Sequence, residues 1–237
     1  MKPADIQPDF EMTFADKVLE FYQSLLISER LPKGVVIMNP YVDQRCLEAC
    51  RQFYQKFYGD QKKRHLILGI NPGRYGAGIT GIPFTDPIKL EEIFGIANTL
   101  PKKPELSAEF IHMMIAAFGG YDAFFSRFFI NSVSPLGFML EGKNLNYYDT
   151  PRLKTALTPF VKRSITAMLN LGTYRDAVFC LGEGENYKFL RQLNAKEQWF
   201  DEVIPLAHPR FIMQYRRKHL QQYIDDYLSK LGCAART

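Results

Sequence analysis

The sequence has no apolar run near the roughly 18 to 20 residues that a bilayer-spanning helix needs. Its opening, Met1 to Met12, is too acidic and too polar for a secretory leader. A cytoplasmic protein, in the cytosol or nucleoid and away from membranes, is expected. Cysteine is scarce: Cys46, Cys50, Cys180 and Cys233 are too few and too scattered for a disulfide framework. Reduced thiols follow. Cys46 and Cys50 stand four apart on a helical stretch with no second pair, which favours buried thiols over a metal site, so no metal is expected. There is no internal repeat, no low-complexity linker and no Gly-Lys-Ser/Thr phosphate loop. What is present is 46% hydrophobic and 14% aromatic, enough to bury one core without staples.

Acid is missing from two stretches of a chain whose net charge is only +5. Residues 61–85 carry Lys62, Lys63, Arg64 and Arg74, and residues 203–224 carry Arg210, Arg216, Arg217 and Lys218, with no Asp or Glu in either. The rest of the chain is therefore net negative. Two solvated faces would explain this pattern. A polyanion-binding face is the alternative, and it requires the two stretches to meet in space.

Four short apolar segments read as strands buried on both faces: His65–Ile70, Phe128–Val133, Ala177–Leu181 and Val203–Ala207. Helical patterns lie around them at about residues 13–28, 43–58, 88–97, 106–118, 151–170, 184–194 and 212–231. The alternation predicts an α/β fold, a three-layer α/β/α domain with a short, mainly parallel, four-stranded central sheet. Residues 1–36 read as an N-terminal helical extension and 37–237 as a single domain. Residues 137–150 read as a turn-rich connection, and a monomer is expected. In such sheets ligands sit beyond the carboxyl ends of the strands. There the sequence places Asn71, then Asn131, then His208.

Residues 76–81, Gly-Ala-Gly-Ile-Thr-Gly, fit a dinucleotide-binding fingerprint, but the context fails. That fingerprint needs its glycines in the turn joining strand to helix, whereas five residues intervene after Ile70 and Pro83 follows closely. No organic cofactor is expected.

Taken as one loop, Gly69 to Phe84, with its Asn71-Pro72-Gly73 turn and its Thr80-Gly81-Ile82-Pro83-Phe84 segment, resembles the first motif of the uracil-DNA glycosylase superfamily. It looks closest to the single-strand-selective monofunctional branch. Asn39-Pro40-Tyr41-Val42, Asn131 followed by Ser134-Pro135-Leu136, and Leu206-Ala207-His208-Pro209 extend the resemblance in order over about residues 37–230. One departure stands out. The family's histidine motif usually continues through Ser and Pro-Arg-Asn into a wedge that enters DNA, whereas here it runs His208-Pro209-Arg210-Phe211-Ile212-Met213.

The resemblance implies a monofunctional glycosylase of base excision repair that hydrolyses uracil, or a 5-modified uracil, from single- or double-stranded DNA. A weakly active or inactive damage-binding module of the same fold is the alternative. Asn71 would orient water, since an amide oxygen can hold a nucleophile that an oxocarbenium-like sugar needs little help to attract. Standing alone, Asn-Pro would read as an ordinary turn. His208 would stabilise charge developing at the pyrimidine O2, assisted by main-chain N–H groups around Gly73. Phe84 would stack on the extruded base and Asn131 would read its edge. Tyr75 would either border the pyrimidine C5 or pack against its loop. Arg74, Arg210, Arg216, Arg217 and Lys218 would hold phosphates. Phe211, with Ile212 and Met213, would either form the wedge or begin the core face of the last helix.

Overall fold

In the computed structural model, which describes residues 11–234, all four apolar segments pair side by side. In chain order the elements begin α1 (Phe14–Gln23), β1 (Val36–Met38), α2 (Gln44–Tyr58), β2 (Arg64–Gly69), α3 (Ala77–Thr80), α4 (Pro87–Glu92), α5 (Leu106–Phe118) and α6 (Tyr121–Phe125). They continue with β3 (Phe128–Ser132), β4 (Gly137–Leu140), β5 (Lys143–Leu145), α7 (Pro151–Asn170), β6 (Thr173–Leu181), α8 (Glu185–Glu197), β7 (Glu202–Leu206), α9 (Pro209–Tyr215) and α10 (Leu220–Ala234). The central sheet has the order β3-β2-β6-β7 and every pairing in it is parallel. Every residue of β2 and β3 is buried, which is why both read as short, mostly apolar segments. The chain leaves β2 for β3 on one side and returns to β6 on the other. The carboxyl end of β2 is thus the switch point where a ligand crevice opens.

Helices cover both faces of this sheet and complete the three layers. On one face Phe129 meets Phe14 of α1 at 5.3 Å and Tyr54 of α2 at 6.2 Å between ring centroids. On the other, Phe128 meets Phe118 of α5 and Phe124 of α6. α1 starts at a capping box between Thr13 and Asp16 and stops at Gln23, short of the expected residue 28. Its apolar face, Phe14, Val18, Phe21 and Tyr22, joins the same core as the sheet. Among the described residues, α1 therefore packs beside α2 as part of the common core.

Three expectations need correction. Residues 137–150 do not form a mere connection: β4 and β5 make a hairpin through Glu141 and Gly142, both with positive φ (51° and 72°), the backbone of a tight two-residue turn. β1 then pairs antiparallel with β4, giving a second, three-stranded sheet. No local signal predicts that pairing, because the partner lies about a hundred residues away. The expected helix 212–231 is instead α9, a 3₁₀ turn at Arg217–His219, and α10. Cys46, Cys50 and Cys180 are free and buried, while the Cys233 side chain lies outside the described residues.

The third correction concerns charge. Arg64 is wholly buried: its guanidinium donates to the carbonyls of Phe125 and Lys62, pairs with Asp60 at 2.8 Å, and lies over the rings of Phe14 and Tyr58. It is a core anchor. Arg64 and its neighbours Lys62 and Lys63 lie at the amino end of β2, a strand length of about 16 Å from the crevice. The first basic stretch is therefore split: Lys62, Lys63 and Arg64 lie away from the crevice, while Arg74 lines a cavity beside Arg210 of the second.

Gly81, in the loop after β2, has φ of +71°, and an added Cβ would sit 2.7 Å from the Tyr41 ring and 2.8 Å from the Cys50 sulfur. Gly81→Ala combines backbone strain with overpacking and is expected to destabilise the fold by about 2 to 4 kcal/mol. Urea unfolding followed by circular dichroism measures this loss.

Candidate active site

Asn71 leaves the carboxyl end of β2 with its amide orientation fixed by partners. Its Oδ1 accepts from the N–H of Tyr147 at 3.0 Å, and its Nδ2 donates to the carbonyls of Leu145 and Pro72, each at 3.3 Å. The end of β5 and the residues just after it supply the Leu145 and Tyr147 contacts, so the chain leaving the unanticipated sheet is what orients Asn71. An amide oxygen has two lone pairs, and one remains for a water. Tyr147 is positioned in turn by Asn186 of α8, whose Oδ1 accepts from the Tyr147 hydroxyl at 2.8 Å. The Asn186 Nδ2 donates to the carbonyls of Gly69 and Leu181, the last residues of β2 and β6.

His208 follows β7 and caps α9, with Pro209 at the first helical position, where its missing N–H costs nothing. Its Nδ1 accepts from the N–H of Arg210 at 3.1 Å. A neutral imidazole accepting at Nδ1 carries its proton on Nε2, leaving that N–H as a donor. Burial, reinforced by the Arg210 charge, lowers the His208 pKa to about 4. The ring is therefore a neutral dipole at physiological pH. The Tyr227 hydroxyl donates to the Ala207 carbonyl and anchors the residue just before it.

Asn71 and His208 line one crevice of about 320 Å³ together with Phe84, Ser132 and Gly73. The Phe84 and His208 rings lie 6.5 Å apart, tilted by 59°. Phe84 has a φ of +53°, a left-handed conformation costing about 1 to 3 kcal/mol for a residue with a side chain. A Cβ on Gly73 would meet only Asn144 at 3.7 Å, so packing does not demand that glycine and its bareness leaves room at the crevice wall.

Asn131 is not brought to this crevice. It is 2% exposed, donates to the Tyr22 hydroxyl at 3.2 Å and accepts from the N–H of Ser132 at 2.8 Å. Alternation along β3 turns Asn131 with Phe129 toward α1 and gives the crevice to Ser132. Tyr75 is also outside it. Its ring is 43% exposed, lies under the Arg74 guanidinium at 4.6 Å, and lines an adjoining cavity. Arg210 and Phe211 do reach the crevice, whereas Ile212 and Met213 are core residues. The apolar triplet thus divides, and Tyr215, 64% exposed and 5.8 Å from Phe211, is the partner the sequence did not suggest. Arg216 lies over the Phe211 ring, Arg217 pairs with Glu109 at 2.9 Å, and Lys218 is exposed in the turn between α9 and α10.

A further residue unseen in the sequence is Glu105, which precedes α5 and lines the crevice. Its Oε2 is shielded from solvent with no hydrogen-bond partner. Burial, then the nearby Asp86 carboxylate, raises its pKa to about 7. Gly76 is what accommodates it, since a Cβ there would fall 1.9 Å from Oε2. The glycine-rich run is thus a tight loop wrapped on a carboxyl, with α3 only four residues long after it. Among the described residues no group of three or more His, Cys, Asp or Glu gathers to hold a metal, and no helix is long and apolar enough to cross a membrane.

The family description "Uracil DNA glycosylase superfamily" matches residues 56–232. The chain belongs to that superfamily. It is 32% identical over 138 residues to the single-strand selective monofunctional uracil-DNA glycosylase of Rattus norvegicus, and 30% identical over 138 residues to that of Mus musculus. Each match covers 51% of this chain and 48% of the relative, so the chain spans about half the length of these curated relatives. The crystal structure of wild-type Pedobacter heparinus SMUG2 superposes with a TM-score of 0.92 at 44% identity, covering 95% of this chain and 100% of that one. The likeness to that structure thus extends over nearly the whole chain.

In this superfamily member the histidine is held neutral by burial and by the neighbouring Arg210 charge. A ¹⁵N NMR titration is expected to show His208 as the Nε2–H tautomer at pH 6, with a midpoint near pH 4. Arg210→Ala is expected to move that midpoint upward by removing a nearby positive charge. A midpoint at or above 6.5 in the unmodified protein would contradict this assignment.

Proposed function

We propose that the protein is a monofunctional uracil-DNA glycosylase acting in base excision repair. The observation that carries this reading is the convergence of an oriented Asn71 oxygen and a neutral His208 donor on one crevice beside Phe84. Hydrolysis of the glycosidic bond expels a uracil anion and leaves an oxocarbenium-like sugar. His208 Nε2–H stabilises the charge growing on O2, where one pre-aimed donor is worth about 3 kcal/mol. Its low pKa suits that role, because a neutral donor needs no proton transfer. Asn71 Oδ1 holds the water that attacks the cation, with no strong base required.

The extruded base stacks on Phe84, whose strained backbone is the cost of presenting the ring there. The base edge meets Ser132, since the Asn131 amide is committed to Tyr22 and to the neighbouring main chain. Among the described residues no lysine lines the crevice, which agrees with hydrolysis without strand cleavage. Phe211 and Tyr215 form an exposed aromatic pair at the rim and serve as the wedge, while Arg210, Arg216 and Lys218 contact phosphates.

Purified protein should be incubated with single- and double-stranded oligonucleotides carrying uracil or 5-hydroxymethyluracil, then treated with alkali. Uracil-dependent cleavage is expected, falling about 100-fold or more in Asn71→Ala and in His208→Ala. Tight binding without abasic sites would instead establish a damage-binding module. The Arg210→Ala and Arg216→Ala variants are each expected to lower the slope of log K against log salt by about 1. Lys62→Ala and Lys63→Ala, at the far end of β2, are expected to leave that slope unchanged; equal effects would return the basic residues to the status of solvated surface.

A further inference from the structure

Next to the crevice lies a second cavity, of about 440 Å³, that the proposed reaction does not use. The two share one partition, formed by Gly73, Glu105, Ser107, Asn144, Arg210 and Gln214. The second cavity adds Arg74, Lys143 and Tyr75, so with Arg210 three cations from three separate elements line it beside one exposed aromatic ring. Tyr75 contributes little to the core, being 43% exposed, and its flexible neighbour Arg74 is held over it by a hydrogen bond to the Gly142 carbonyl. A half-exposed aromatic carrying an ordered guanidinium is a stacking platform, and the surrounding cations suit a phosphodiester. In the partition, the shielded Glu105 Oε2 has no partner within the protein. Such a buried polar atom ordinarily finds one, so a hydrogen-bonding ligand group at this wall would complete it.

We infer that this second cavity seats the nucleotide adjoining the extruded one on the same DNA strand, its base stacked at Tyr75 and Arg74 and the linking phosphate crossing the Asn144–Arg210 partition. The inference rests on the proposed reading of the first crevice as the seat of an extruded base. It gives Tyr75 a role one nucleotide away from the base it was expected to border. A flexible single strand can turn its neighbouring base outward into this cavity, whereas a duplex must first unpair it. The cavity therefore favours single-stranded substrate.

The test uses single-stranded oligonucleotides in which the nucleotide on either side of uracil is replaced, one side at a time, by a tetrahydrofuran spacer lacking a base. On one side only, loss of the base is expected to lower single-turnover kcat/KM of the unmodified protein by about tenfold or more, the usual size of a base–aromatic stack. In Tyr75→Ala the same spacer is expected to cost nothing further. Equal losses in the two proteins, or no loss on either side, would overturn the inference. A second readout does not depend on turnover: 2-aminopurine placed beside uracil is expected to lose fluorescence on binding the unmodified protein and to keep it on binding Tyr75→Ala. Tyr75-dependent quenching without uracil release would leave the second cavity established and the proposed activity wrong. Uracil release with identical quenching in both proteins would do the reverse. Absence of DNA binding would remove both.

Discussion

The site depends on one buried amide. Asn186 donates to the terminal carbonyls of β2 and β6 and accepts from Tyr147, so a single side chain fixes the ends of the two strands between which the sheet order reverses. Of these two carbonyls, that of Gly69 also accepts from the Val133 N–H at 2.9 Å, and a buried carbonyl left without any partner costs about 1 to 3 kcal/mol. Satisfying them with a side chain also hands position to the next residue. Asn71 begins two residues past Gly69, and its oxygen is held by the main chain of the very tyrosine that Asn186 anchors. Rigidity flows from the sheet through one amide into another.

Electrostatics in the crevice follow from the same burial. A histidine shielded from water and placed beside an arginine is kept neutral, while a carboxyl shielded from water beside an aspartate is kept partly protonated near neutral pH. The interior wall thus offers donors with little fixed charge. Net positive charge is displaced to the rim, on Arg210, Arg216 and Lys218. That division suits a ligand with an uncharged base and a charged backbone. It also limits how much of the chain's basic character can contribute, because Arg64 is spent on the core and Arg217 on Glu109.

Much of this was legible in the sequence, for identifiable reasons. Strands buried on both faces are mostly apolar, so the buried parts of β2, β3, β6 and β7 stood out as runs, and the rule that ligands gather beyond their carboxyl ends pointed to Asn71 and His208. The same property hid the facing of β3. Two polar residues in succession at the end of a strand buried on both faces do not say which side each takes, and so Asn131 was expected where Ser132 stands. Glu105 and Tyr215 were illegible for another reason. Each lies on an element, α5 or α9, whose approach to the crevice is fixed by packing rather than by any local pattern.

What the sequence determined by itself was therefore local: element type, the punctuation after each strand, and the residue types capable of the chemistry. Only the tertiary structure decided which of them meet. β1 finds β4 across about a hundred residues, and the chain leaving the β4–β5 hairpin delivers, at Tyr147, the N–H that orients Asn71. The sheet divides the first basic stretch, leaving Lys62, Lys63 and Arg64 at the amino end of β2 and carrying Arg74 beyond its carboxyl end to the side of Arg210. Those outcomes rest on long-range packing, whose geometry depends on contacts between segments that no window of sequence contains.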